Sequence, residues 1–144
     1  MSEFEEISPT FKNALITKMK SVAPYWALLG MELVDLKKGW ALVKLPFSEK
    51  LTQPDGIAHG GSIFSSADAA VAMALLGMID KNETMVTVEM KINFVKSFNN
   101  GEIVAEAKIV HKGGKTAIGE VDVRNSNGEL IAKGMATFMI IKRK

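Results

Sequence analysis

The sequence predicts an α+β fold in which one long apolar helix is set against an antiparallel sheet, with a short amphipathic helix ahead of both. Three observations predict it. Residues 60–79 carry a single charge, Asp68, in twenty positions. Residues 86–94 alternate, with Val86, Val88, Met90, Ile92 and Phe94 on one side and Thr87, Glu89, Lys91 and Asn93 on the other, the period of a half-buried strand. Turn-forming clusters at Asn99-Asn100-Gly101, Lys112-Gly113-Gly114-Lys115 and Asn125-Ser126-Asn127-Gly128 divide the rest of the chain into strand-length runs.

In chain order, Ser8-Pro9 is a helix opening, and Phe11, Leu15, Ile16 and Met19 fall on one face, which predicts an amphipathic helix over residues 8–22. Residues 31–36 and 40–45 are extended runs separated by Lys37-Lys38-Gly39, a hairpin signal. Residues 46–58 mix Pro, Asp, Gly, Ser and Lys without periodicity and read as a loop. The long helix follows over residues 60–79. After the strand at 86–94, runs at 103–110, 116–124 and 130–141 complete a meander, giving a sheet of six strands. No repeat, low-complexity tract or linker interrupts the 144 residues, so residues 1–144 are expected to form one domain burying roughly 70% of the unfolded surface.

Composition removes several function classes. Eighteen Lys+Arg against sixteen Asp+Glu give +2, too balanced for a chain that neutralises many phosphates, so nucleic acid is not an expected partner. The absence of cysteine excludes disulfides, thiolate metal sites and a cysteine nucleophile. The acidic opening Met-Ser-Glu-Phe-Glu-Glu does not read as a secretory signal, and a reducing, cytoplasmic location is expected. With only His59 and His111, no multi-histidine metal site is expected. The apolar run 60–79 is long enough to cross a bilayer. Its three serines, central aspartate and lack of a flanking basic cluster argue instead for a helix wrapped by the sheet, or by the sheet and a second subunit.

A surface helix would carry Lys and Glu on an outer face, and this one is expected to have no solvent face. At 100° per residue Asp68 lies within about 60° of Phe64, Val71 and Leu75, on the margin of the apolar stripe. A carboxylate there must be paired, hydrogen-bonded or facing a wet cavity. It is either a structural aspartate bonded to backbone or serine, or a general base. Just ahead of the helix stands Asp55-Gly56-Ile57-Ala58-His59-Gly60-Gly61. Two glycines at a helix start either permit close packing or leave free N–H groups, at the positive end of the dipole, open to an anionic oxygen.

Gly56-Ile57-Ala58-His59-Gly60-Gly61, followed by Asp68 nine residues after His59, resembles the hotdog-fold acyl-CoA thioesterases, in particular the phenylacetate-degradation (PaaI-like) branch. The resemblance runs from about residue 23 to 141 and includes the Thr-Val-Glu-Met-Lys-Ile-Asn-Phe strand and Gly114-Lys115-Thr116. It implies a hotdog fold and hydrolysis of an acyl- or aryl-CoA thioester without a cofactor. Asp68 then activates water or attacks the thioester directly. The Gly60 amide polarises the carbonyl, His59 and Gly61 shape that end of the site, and Thr87 orients the water. Lys112, Gly114 and Lys115 form a turn along coenzyme A, with Lys142, Arg143 and Lys144 as further contacts. Gln53 stands six residues before His59, where the branch usually has asparagine. The resemblance also implies a homodimer, or a dimer of dimers, with the active site at the subunit interface.

Two other readings stay open at this level: a non-catalytic acyl-CoA sensing module, and an acyl-thioester hydratase or dehydratase. The acyl group is unnamed by the sequence. Phe47, Met73, Leu76 and Phe94 are candidate pocket residues or plain core.

Overall fold

The computed structural model describes residues 3–144. Helix α1 (Pro9–Val22) starts where Ser8 Oγ accepts from the Phe11 N–H at 3.4 Å. It buries Met19 and packs Leu15 on the core, while Phe11 and Ile16 stay largely exposed. Residues 24–29, to which the sequence assigns no element, form a short helix α2 (Pro24–Leu29). It opens on proline and closes on Gly30 in the left-handed region, φ 84°. Its Trp26 is buried.

Six antiparallel strands follow: β1 (Glu32–Lys37), β2 (Trp40–Pro46), β3 (Glu83–Phe94), β4 (Glu102–Lys112), β5 (Thr116–Asn125) and β6 (Leu130–Lys142). Their order in the sheet is β1-β2-β4-β5-β6-β3. The long helix α3 (Gly60–Leu76) lies on one face, against β2, β4 and β5 above all. Ala41, Val43, Leu45, Ile103, Val121 and Val123 meet it there and are fully buried. Approach is close because Gly119 carries no side chain: a Cβ there would stand 2.6 Å from Val71 Cγ1. The helix ends at Leu76, three residues short of the expected 79, where Gly77 runs against β1 and a Cβ would sit 2.7 Å from the Lys37 carbonyl oxygen.

Three expectations about the strands are corrected. β3 pairs with β6 rather than with β4, its neighbour in sequence, so only β4-β5-β6 form a meander and β3 is an edge. The Asn99-Asn100-Gly101 signal marks a crossover and not a hairpin. Phe98 is buried there, its carbonyl accepts from Ala58 N–H at 2.7 Å, and Gly101 O accepts from Phe47 N–H at 2.8 Å. The alternation in β3 is broken by a bulge between Thr87 and Glu89. A bulge inserts one unpaired residue and shifts the phase of the side chains. Met85 therefore shares the helix-facing side with Met90 and Ile92, while Val86 and Val88 are exposed.

Nor is α3 covered all round. Phe64, Asp68, Ala72 and Leu76, spaced by four, form a stripe that the six strands leave partly open. No helix among the described residues is long and apolar enough to cross a membrane.

Candidate active site

His59 is the N-cap of α3, with φ −63° and ψ 136°, and its Nδ1 accepts from the Gly61 N–H at 2.8 Å. This bond requires an unprotonated Nδ1, leaving the ring proton of the neutral imidazole on Nε2. The loop ahead is held from both sides: His59 N–H donates to Leu51 O at 2.7 Å, and Gln53 N–H donates to Ile57 O at 2.9 Å. Gln53 turns its side-chain oxygen onto the Asp55 N–H. Of the two glycine amides, Gly61 is thus taken by His59, and Gly60 N–H has no acceptor among the described residues. Gly60 is closely covered on its Cα side, where a Cβ would lie 3.1 Å from Phe94 Cζ. A second molecule therefore has one free donor at the positive end of the helix dipole.

Two turns along α3, Asp68 is half-buried, and its Oδ1 accepts from Thr87 Oγ1 at 2.8 Å. The β3 bulge makes this contact possible, because it ends the strand's first phase with Thr87 on the helix side. Burial pushes the Asp68 carboxyl above the ordinary aspartate range, and the Thr87 hydroxyl, which favours the charged form, partly offsets this. Asp68 also forms part of the wall of a cavity of about 390 Å³ with Trp26, Phe64, Ala72 and Met73. At its rim Tyr25 Oη and Ser65 Oγ are 2.8 Å apart. Neither Tyr25 nor Ser65 was singled out by the sequence, and α2, which carries Tyr25 and Trp26, is too short to show periodicity.

Gly60 and Asp68 are eight residues apart on one helix, about 12 Å at the rise of an α-helix. A reacting carbonyl needs its base and its oxyanion donor within hydrogen-bonding reach at once.

Residues 55–132 match the family model described as the thioesterase superfamily. A Saccharolobus solfataricus protein described as a candidate esterase is 34% identical over 96% of this chain and 91% of its own length. The chain belongs to the thioesterase superfamily. A Listeria monocytogenes relative named 1,4-dihydroxy-2-naphthoyl-CoA hydrolase is 28% identical over 81% of this chain and 94% of its own. A conserved protein of Pseudomonas aeruginosa superposes with a TM-score of 0.81 at 31% identity, covering 86% of this chain and 98% of that one. The architecture of this thioesterase-superfamily member is the hotdog fold, a six-stranded antiparallel sheet around α3, and its family is one of hydrolases.

The turn at Lys112-Gly113-Gly114-Lys115 is exposed and closed by Gly113 N–H donating to Thr116 O at 2.8 Å. Lys112 and Lys115 form no ion pair among the described residues. Ala117, Phe138 and Thr87 share one row across β5, β6 and β3, so the turn lies at the Thr87 end of the sheet, about 10 Å across two strand spacings. Arg143 N–H donates to Asn82 O at 2.6 Å, which holds the C-terminus beside the start of β3. Of the four pocket candidates only Met73 lines the Asp68 cavity. Phe47 packs edge-on against Phe98 at 5.5 Å, Leu76 lies further along α3, and Phe94 covers Gly60.

Proposed function

We propose that the protein hydrolyses the thioester of an acyl- or aryl-CoA to the free acid and coenzyme A. The observation that carries the reading is the half-buried Asp68 carboxylate, hydrogen-bonded by Thr87 at the wall of an apolar cavity, on the helix whose first amide is free. A family of thioesterases and a relative named for hydrolysis of an aryl-CoA support it. Ionised Asp68 takes a proton from a water lying against both its carboxylate and the Thr87 hydroxyl bonded to it, and the water oxygen attacks the thioester carbon. The carbonyl oxygen becomes an oxyanion that accepts from Gly60 N–H, aided by the helix dipole. Collapse breaks the C–S bond, and the proton on Asp68 goes to the departing thiolate. Direct attack by the carboxylate uses the same groups, with water then hydrolysing the anhydride.

The separation of Gly60 and Asp68 along α3 favours a site shared by two copies, Asp68 from one and Gly60 from the other. Strand β3 supports this, being an unpaired edge of twelve residues with Val86 and Val88 exposed beside Met139. The cysteine-free composition fits a reducing compartment such as the cytoplasm.

Thiol release from a panel of acetyl-, octanoyl-, benzoyl- and phenylacetyl-CoA tests the reaction, and no release from any of them would overturn it. Co-expression of Asp68→Asn and Gly60→Pro chains tests the sharing. Each variant alone is expected to be nearly inactive, whereas random mixing restores about a quarter of wild-type activity because each mixed pair holds one intact site. Mixed assemblies as inactive as the parents would place both groups in one chain.

The lysine turn offers exposed point charges to coenzyme A phosphates. Lys112→Ala with Lys115→Ala is expected to raise KM for acyl-CoA a few-fold at low salt, with kcat little changed and the effect shrinking at high salt. An acyl-pantetheine lacking the nucleotide should show no difference. Equal KM values on full acyl-CoA at low salt would remove the turn from the binding site.

A further inference from the structure

The free Gly60 N–H belongs to the peptide unit that joins Gly60 to His59, and the carbonyl at the other end of that unit accepts twice. Ser62 N–H donates to His59 O at 2.9 Å, and Ser62 Oγ donates to the same oxygen at 2.8 Å. A carbonyl that accepts hydrogen bonds draws density from its own amide nitrogen, so the N–H across the peptide becomes a stronger donor. A second row of donors feeds the first. Ser65 Oγ donates to Gly61 O at 2.9 Å, and a serine hydroxyl has one proton to give. At its 2.8 Å contact with Tyr25 Oη the phenol is therefore the donor. Gly61 O and Ser62 N–H share one peptide unit. The chain thus runs from the Tyr25 and Ser65 hydroxyls through the peptide between Gly61 and Ser62, then through the peptide between His59 and Gly60, and ends at the Gly60 N–H. Every dipole in it points the same way.

The other side of Gly60 is held as well, because His59 Nδ1 accepts from the Gly61 N–H at 2.8 Å. Glycine is the residue most free to turn its peptide planes, and both planes that meet at Gly60 are fixed. The helix itself does not need the Ser62 hydroxyl. His59 O keeps the bond from Ser62 N–H, and alanine is the better residue within a helix.

We propose that Ser62, backed by Ser65 and Tyr25, is a positioning residue for the reaction: its hydroxyl orients and polarises the Gly60 amide through the His59 carbonyl. The inference rests on the thioester-hydrolase reading. As the substrate carbonyl becomes an oxyanion, the acceptor at the end of the chain gains charge, and the bonds behind it strengthen in turn. A neutral thioester carbonyl draws on the chain far less, so Ser62 acts on kcat and not on binding.

The test uses whichever ester of the acyl-CoA panel is cleaved fastest. Ser62→Ala is expected to lower kcat roughly five-fold, the worth of one neutral hydrogen bond, with KM unchanged. Tyr25→Phe, two bonds further back, should lower it about two-fold. In the Gly60→Pro protein, which lacks the amide, adding Ser62→Ala should cost less than about 1.5-fold. Nitrogen-15 labelling of glycine gives a readout without turnover, and the Gly60→Pro spectrum assigns the Gly60 resonance by its loss. Ser62→Ala should move that resonance upfield, Tyr25→Phe should move it less in the same direction, and Gly114 and Gly128 should stay in place. Tyr25 is exposed, so its variant carries the test by the same resonance if Ser62→Ala does not fold. Equal losses with and without the Gly60 amide, or an unmoved Gly60 resonance, would overturn the proposal while the hydrolase reading stands. A moved resonance in a protein that cleaves no ester would overturn the hydrolase reading, and with it the role of Ser62 in the reaction.

Discussion

Replacing Asp68 by asparagine is expected to lower thioester hydrolysis by about two or more orders of magnitude, the usual worth of a positioned general base. Asparagine keeps the size of the side chain and can still accept from Thr87, whose hydroxyl donates to Asp68 Oδ1 at 2.8 Å. The fold should therefore survive, as circular dichroism and thermal melts would report. Since burial raises the Asp68 pKa in the folded protein, ionising it there costs stability. That cost is absent below the unfolded-state pKa, grows as pH rises between the unfolded and folded values, and is full above the folded one. Asparagine carries no such cost, so the variant should gain in melting temperature relative to wild type on going from acid to pH 7. In the wild type the acid limb of kcat/KM should lie above the ordinary aspartate range, because only the ionised form takes the proton. Wild-type rates in the asparagine variant would reduce Asp68 to a structural role. An acid limb at the ordinary aspartate value would remove burial from the mechanism.

Gly60→Pro should be nearly as damaging, and Gly60→Ala separates the cause. Gly60 is the first residue of α3, a position where proline fits, and His59 before it is already extended, as a residue ahead of proline must be. Proline removes the one N–H of the Gly60-Gly61 pair that has no acceptor among the described residues. Loss of an oxyanion donor costs about two to three orders of magnitude in kcat. Alanine keeps that N–H but adds the same Cβ, which would come within 3.1 Å of the Phe94 ring. Phe94 is half-exposed and free to give way. The alanine variant should therefore keep most of its kcat, and the proline variant should lose it with KM little changed. Equal losses in the two would assign the effect to the contact with Phe94 and not to the amide.

The sequence carried the parts of this protein that depend on near neighbours. The 3.6-residue and two-residue periods placed α1, α3 and the six strands, because amphipathic patterning is local. The lone charge in an apolar helix singled out Asp68, because an ionised carboxylate is costly wherever such a helix packs. The Gly60-Gly61 pair before that helix pointed to an amide-rich N-terminus. What needed the tertiary structure was every relation fixed by partners distant in the chain. Strand β3 lies beside β6 through the crossover at Phe98, and no turn signal states which strand a crossover reaches. The bulge at Val88 turns Thr87 toward Asp68 and Val86 to the outside, although strict alternation in sequence placed Thr87 on the opposite face from Met90. Only the fold showed that His59 occupies the Gly61 amide, and that Tyr25, from a helix too short to have a period, lines the Asp68 cavity. Local pattern is set by the energy of a segment's own turns and faces. Register, bulge position and the sharing of donors are set by competition among segments far apart in the chain, which is settled only when they pack.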